Sequence, residues 1–463
     1  MQTPSNSIED LKREELIALI GKLAAEVEKL RAEVEKLRKE NEELRRKGHR
    51  QAAPFTKGVR KPDPKKPGRR KGEGQFKKRE APPVAESDVR VEVSMPGRCR
   101  CGGQVKLERT EEATTVDVPP VPAPVVTRYA VPVCRCEACG GVVRGQAPGL
   151  EPDQFGATAH RLGPRVKAMA HTLHYGLGIP VRKLPQVIWE LAGIRVTASA
   201  LTQDALKQAS AEGPVGQQYQ VLRDRMRNCA VVHTDDTGWS IGGTVAYLMG
   251  FVSADTVVYQ IRYRHRSDEV LEIIPSDFAG VMVTDRGKSY DADVFLDVQQ
   301  QKCLGHLLRN ISETLEGQTG QARCFGLKLK SLLQLALDLS KQEPSPERTL
   351  AVQRLEADLT WLLRDRVLKD DDNQRMLNGI GTQMDRGRIL TFLHILGVDG
   401  TNNIAERILR LAVIARKVSQ CSKNDAGAYA SSAFMSVIQT LRIGLDPLAS
   451  LSALLLGVMA GTS

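Results

Sequence analysis

Five leucines recur every seventh residue near the N-terminus, Leu16, Leu23, Leu30, Leu37 and Leu44, with Ile20, Val27, Val34 and Asn41 between them. Few structures satisfy this heptad. Leucine at d with β-branched residues at a favours a parallel two-stranded coiled coil, and one a-position asparagine fixes its register at some cost in stability. Glu26, Glu33 and Glu40 fall at g, and Arg31, Arg38 and Arg45 at e five residues later, the spacing of g-to-e′ ion pairs between parallel strands. An isolated helix of this kind is marginal in water, so residues 1–46 are expected to form a homodimer. The alternative is a helix laid on its own domain.

Residues 47–94 read as a basic linker. From Lys47 to Arg79, thirteen Lys or Arg face only Asp63 and Glu73, a surplus of eleven positive charges that equals the formal net charge of the whole 463-residue chain. Pro54, Pro62, Pro64 and Pro67 exclude a continuous helix, so the segment is an extended or flexible tether. Each Lys or Arg set on a DNA phosphate releases a counterion, which makes binding salt-dependent without reading sequence. A leucine-zipper transcription factor is disfavoured, because its basic helix precedes the zipper whereas this stretch follows it.

Five of the nine cysteines cluster as Cys99, Cys101, Cys134, Cys136 and Cys139, and Gly-Gly follows each group. Two short pairs about 35 residues apart predict a zinc ribbon over residues 95–150, with Cys99, Cys101, Cys136 and Cys139 as thiolate ligands of a structural Zn²⁺ and Cys134 as a surplus candidate. Disulfides are the alternative. The first residues carry Glu9 and Asp10 and no apolar signal segment, so a reducing cytoplasm is the expected compartment. Cys229, Cys303, Cys324 and Cys421 are expected to be plain buried thiols.

Helical patterns over Arg161 to Tyr175, Val181 to Ala192 and Ala198 to Ala209 make residues 151–215 a helix-turn-helix-like unit. If the last of these helices enters a major groove, Thr197, Ser199, Thr202 and Gln203 would reach base edges. Strand patterns follow over Cys229 to Asp235, Thr244 to Val252 and Thr256 to Ile261, then a short helix near Glu269 to Ile274 and an apolar strand before Asp285. From Leu307 to Leu363 the leucine periodicity is helical. No apolar run reaches the roughly 18 residues of a membrane span. Aromatics make up only 4% of the chain, which argues against single-strand recognition by base stacking.

In Thr401-Asn402-Asn403-Ile404-Ala405-Glu406-Arg407-Ile408-Leu409-Arg410, the stripe Ile404, Ile408, Leu411 and Ala415 should face a core, and Glu406 should project roughly 200° away from it. A weak solvated i,i+4 pair between Glu406 and Arg410 is the bland reading. This segment, followed by Arg416-Lys417, resembles the last catalytic segment of bacterial transposases of the insertion sequence 66 family. Val231-Val232-His233-Thr234-Asp235-Asp236-Thr237-Gly238-Trp239 resembles the family's first catalytic strand, with Asp236 where the family usually has Glu. Gly280-Val281-Met282-Val283-Thr284-Asp285-Arg286-Gly287-Lys288-Ser289-Tyr290 resembles its second, and Cys303-Leu304-Gly305-His306-Leu307-Leu308-Arg309 its Cys-x-x-His-x-x-Arg segment.

The resemblance implies a multidomain α/β protein. Its ribonuclease H-like catalytic core would span residues 216–417, with a helical insertion at about 316–391 and a C-terminal helical segment at 418–463. It further implies catalysis by Asp235, Asp285 and Glu406 around two Mg²⁺ (or Mn²⁺), double-stranded DNA as partner, and small accessory proteins of the same mobile element. Arg286, Arg309, Arg407, Arg416 and Lys417 would be phosphate contacts. Physically, three carboxylates gathered without metal repel by about 4 kcal/mol per pair at about 4 Å and an effective dielectric of about 20. Two hard cations about 3.5–4 Å apart would both relieve that repulsion and serve phosphoryl transfer. The alternatives are a dimeric DNA-binding protein with an inactive nuclease core and a zinc-bearing scaffold with no salt-dependent DNA affinity.

Overall fold

The computed structural model describes residues 161–456 except Gln420, residues 91–147 apart from 112–114, 116 and 118–122, and scattered positions within 17–38. Leu16, Leu23, Asn41, Leu44 and the basic stretch 47–79 lie outside the described residues. Residues 24–35 are helical, and the heptad residues Val27, Leu30, Val34 and Leu37 are all exposed in the single chain.

A small antiparallel hairpin joins β1 (Val133–Arg135) to β2 (Val142–Arg144). Four helices follow: α1 (Pro164–His171), which runs on into a π-turn, α2 (Leu184–Ala192), α3 (Ala198–Ala209) and α4 (Pro214–Met226). Gly193 ends α2 in the left-handed region at φ 64°, a conformation that costs glycine no steric penalty. Thr197 then starts α3, its Oγ1 accepting from the Ala200 amide at 3.2 Å. Ala170, Leu184, Ile188 and Leu201 form the small core beneath them.

The central sheet is built from β3 (Val231–Ile241), β4 (Thr244–Val252), β5 (Val257–Arg262), β6 (Val281–Thr284) and β7 (Gln299–Lys302). A short helix α5 (Ser267–Leu271) precedes β6. The order is β5-β4-β3-β6-β7, with β3, β4 and β5 an antiparallel meander and β6 and β7 parallel to β3. After β7 come α6 (Leu304–Glu316), α7 (Gly320–Leu339), α8 (Pro346–Leu363), α9 (Asp371–Asp385), α10 (Thr391–His394), α11 (Asn403–Ser419), α12 (Asp425–Leu441) and α13 (Pro447–Leu455). This is a mixed α/β core, as expected. Val232, Met249, Phe251 and Met282 pack with Tyr219, Leu222, Phe434 and Val437 of α4 and α12. Leu248, Tyr259 and Ile261 pack with Ala405, Leu409 and Ala412 of α11, and Val281 and Val283 with α6.

Strand β3 does not stop at Asp235. It continues to Ile241 and turns into β4 through Gly242 and Gly243, both at positive φ. Strand β7 is wholly polar, yet Gln300, Gln301 and Lys302 are fully or almost fully buried. Buried polar groups of this kind need partners, and the donors have them, while Gln300 Oε1 has none. Gln300 donates to Tyr290 O and Phe295 O, Gln301 to Ile389 O, and Lys302 Nζ to Thr284 Oγ1 at 3.1 Å and to Asp291 at 2.8 Å.

Both edges of the sheet are occupied. Along β5, the amides of Tyr259 and Val257 donate to Ser436 Oγ and Thr440 Oγ1 of α12 at 2.8 and 2.9 Å. Along β7, Lys302 N donates to Arg388 O at 2.7 Å and Thr391 Oγ1 to Gln300 O at 2.7 Å.

Candidate active site

Parallel pairing sets the first two acids side by side. His233 lies opposite Val283 across β3 and β6, and carrying that register two residues forward puts Asp235 abreast of Asp285, on neighbouring strands about 4.8 Å apart. Asp285 begins the loop after β6, where its Oδ1 accepts from the Gly287 amide at 2.7 Å.

Glu406 arrives on α11, one turn after Asn402. Asn402 Nδ2 donates to Thr234 O at 2.8 Å, and its amide donates to Cys303 Sγ at 3.1 Å. The start of the helix is thereby clipped to β3 beside Asp235. Gly250, which pairs with Asp235 across β3 and β4, allows the close approach: a Cβ there would stand 3.0 Å from Ile408 and 3.1 Å from Leu409.

The expected geometry of α11 needs correction. Its buried stripe is Ala405, Leu409 and Ala412, whereas Ile404 is 38% exposed. Small alanines fit against the sheet where bulkier isoleucine would hold the helix off, and Glu406 therefore sits at the rim of the buried face instead of opposite it. Among the described residues Glu406 makes no ion pair with Arg410. Its Oε1 lies 3.5 Å from His306 Nε2, while His306 Nδ1 is buried without a hydrogen-bond partner.

Asp235, Asp236 and Thr237 of β3 and Glu406, Arg410, Val413 and Ile414 of α11 line a groove between strand and helix. Burial pushes the Asp235 carboxyl up to about 7, and the charges of Asp236, Asp285 and Glu406 push the same way against a hydrogen bond from the Asp236 amide. Those acids thus act on one another electrostatically. Among the described residues, neither lysine nor arginine ion-pairs with Asp235, Asp285 or Glu406. Asp236 faces His265, Oδ1 to Nδ1 at 3.5 Å.

Among the described residues no group of three or more His, Cys, Asp or Glu stands close enough to hold a metal ion. The three acids face one another without closing to ligand distance, but their donor chemistry fits a hard divalent cation, because all are carboxylates and none is ion-paired with lysine or arginine among the described residues. The cysteines form two similar turns. Cys99 N donates to Gly103 O and Cys136 N to Gly141 O, with Gly102 and Gly140 at positive φ. Hydrogen bonds from Cys101 and from Cys139 lower the Cys99 and Cys136 thiols. Cys134 stands outside both turns, on β1. Each pair is assembled, and the two pairs are not joined into one site.

Several residues gained a role that the sequence did not announce. Asn402 and Gly250 place Glu406. Asp291 gathers Lys302 at 2.8 Å, Gln383 at 3.0 Å and Arg388 at 3.3 Å, and Lys302 also holds Thr284, the residue before Asp285. Of the expected phosphate contacts, Arg309, Arg407 and Lys417 are exposed. Arg416 is spent on Gly238 O and on Thr237 Oγ1, so it fastens α11 to β3. With the Asn310 amide turned so that its oxygen faces the guanidinium, Arg286 donates to it at 2.8 Å. Thr197, Ser199, Thr202 and Gln203 are exposed around the start of α3. Of the four scattered cysteines only Cys303 is buried, and Cys324 is exposed.

No helix among the described residues is long and apolar enough to cross a membrane. No curated protein matches the chain. The model of the family described as Transposase IS66 family matches residues 160–430, more than half of the chain and a span that holds the sheet, the groove and all three acids. The chain belongs to the IS66 family of transposases.

Proposed function

We propose that this chain is a DDE-type transposase that binds the ends of its mobile element and cleaves and joins DNA strands. The reading is carried by the opposition of Asp235, Asp285 and Glu406, carboxylates that ion-pair with no lysine or arginine among the described residues, on β3, on the loop just after its neighbour β6, and on a helix clipped to β3. The strand order, with β3 antiparallel to β4 and parallel to β6, supports a ribonuclease H-like core at 216–417 with α7 to α10 as its helical insertion. Asp235, Asp285 and Glu406 would hold two Mg²⁺ or Mn²⁺, which supply a nucleophile at neutral pH and offset charge at the leaving oxygen. The chain's own part is to bring a DNA backbone against these acids and to keep the groove walls rigid.

Around that core, Cys99, Cys101, Cys136 and Cys139 are proposed as the ligands of a structural Zn²⁺, supported by their two matched turns. The 151–215 unit and the basic segment 47–94 would grip DNA, and residues 1–46 would join two copies. Action on DNA places the protein in the cytoplasm at the nucleoid, together with small accessory proteins of its element.

The test is Mg²⁺-dependent cleavage of the DNA flanking the gene, followed by gel electrophoresis, for wild type and Asp285→Asn. Wild type should cut, and the variant should bind the same DNA with equal affinity and leave it intact. Cleavage by the variant would remove Asp285 from the mechanism. A wild type that binds DNA yet never cuts would instead be a DNA-binding protein with an inactive core.

A further inference from the structure

The surface of α7 and α8 carries a feature that the catalytic groove does not use. Trp361, in the last turn of α8, is 52% exposed although its neighbours Leu362 and Leu363 are buried. Three cations surround its indole ring: Lys328 Nζ at 5.0 Å from the ring centroid, Arg364 Cζ at 4.8 Å and Arg366 Cζ at 5.5 Å. The other two tryptophans are not arranged in this way, for Trp239 is buried and Trp189 has one guanidinium, that of Arg195.

Helix capping explains one of the three. Arg366 donates to Leu362 O at 2.9 Å, a usual place for a cation at a helix C-terminus. Lys328 comes from a different helix and is exposed, and Arg364 is exposed as well. The same stretch carries two acids, Asp358 and Asp365, against Arg364 and Arg366, so Lys328 from the neighbouring helix is the surplus positive charge. An exposed cation on an indole face gains only about 0.5–1 kcal/mol, whereas a nucleic-acid base stacked on an aromatic ring gains about 1–3 kcal/mol. Three such contacts together match one stacked base, so the exchange is decided by the displaced cations, which would meet the flanking phosphates.

Helix α9 stands between this surface and the loop that follows Asp285. Leu363 packs on α9, where a Cβ at Gly381 would stand 3.3 Å from Leu363 O. Two residues earlier, and so on the opposite face of α9, a Cβ at Gly379 would stand 3.4 Å from Arg286, the residue after Asp285.

We infer that Trp361, with Lys328, Arg364 and Arg366, is a landing site for one unpaired DNA nucleotide, the base on the indole and the phosphates on the cations. The inference rests on the reading of the chain as a DNA transposase. It also marks a place where the scarcity of aromatics, which argues against base stacking over the chain at large, does not decide the matter.

The experiment compares the full-length protein on a blunt duplex and on the same duplex with a short single-stranded tail that contains 2-aminopurine, by fluorescence anisotropy and quenching. Wild type should prefer the tailed duplex by about tenfold, the lower range of one stacking interaction. Trp361→Ala should lose that preference and the quenching while keeping its affinity for the blunt duplex, and Trp361→Phe should restore part of both. Arg364→Gln, which leaves the ring in place, should weaken tail binding and lower its salt slope by about one. Preference for the tail unchanged in Trp361→Ala would overturn the site while leaving the DNA-transposase reading intact. Absence of binding to either DNA by wild type would overturn both.

Discussion

Asp235→Asn should stabilise the metal-free protein, and by an amount that grows with pH. The Asp235 carboxyl is pushed from its ordinary 3.8 up to about 7, first by burial and then by Asp236, Asp285 and Glu406. The folded state holds this proton more tightly than the unfolded chain does. Folding therefore takes up a proton between about pH 4 and pH 7, and the contribution of Asp235 to stability falls as pH rises through that window. At about 1.36 kcal/mol per pH unit, the gap amounts to about 4 kcal/mol lost above pH 7 and nothing below pH 4. Asparagine keeps the shape and cannot ionise. Urea unfolding with chelator present, across pH 4 to pH 8, should show the two proteins equally stable at the acid end and the variant ahead by several kcal/mol at the alkaline end. Added Mg²⁺ should close that difference by stabilising the wild type alone. A difference that is independent of pH, or a variant less stable at pH 8, would refute the idea that Asp235 is buried among crowded carboxylates.

Two further outcomes follow from described contacts. Asp291→Asn removes the counter-charge shared by buried Lys302 and Arg388 and should cost about 3–5 kcal/mol of unfolding free energy; a loss under about 1 kcal/mol would mean that the network is not electrostatic in origin. Leu30→Glu puts a charge at a d position that is open on the single chain, and sedimentation should show a shift from dimer to monomer; an unchanged mass would separate dimerisation from the heptad.

The strands around the first two acids were legible because burial on both faces writes near-continuous apolar runs, Val231 and Val232 before Asp235 and Val281 to Val283 before Asp285. Their spacing of fifty residues is also the register in which β3 and β6 pair. Glu406 was legible as a residue and not as a geometry. Periodicity weighs Ile404 and Ile408 by hydrophobicity, whereas the contact with Gly250 selects the small side chains of Ala405 and Ala412. Strand β7 could not be read at all. Gln299 to Lys302 carry no strand signal, and what makes their burial possible lies outside the strand: the carbonyls of Tyr290 and Phe295 and the carboxylate of Asp291 in the loop before it, and the carbonyl of Ile389 far along the chain. The exposure of Cys324 was equally invisible, since it depends on which side of α7 the neighbouring helices cover.

The hydroxyls of Ser436 and Thr440 along β5, and the Arg388 carbonyl and Thr391 hydroxyl along β7, have a consequence for how copies of this protein can meet. A bare outer strand offers its amides to any passing strand and invites endless growth by strand addition. With those positions already taken from within, that route to polymers is shut. Val27, Leu30, Val34 and Leu37 of the N-terminal helix stay exposed on the single chain, an apolar face apart from the chemistry carried on the sheet.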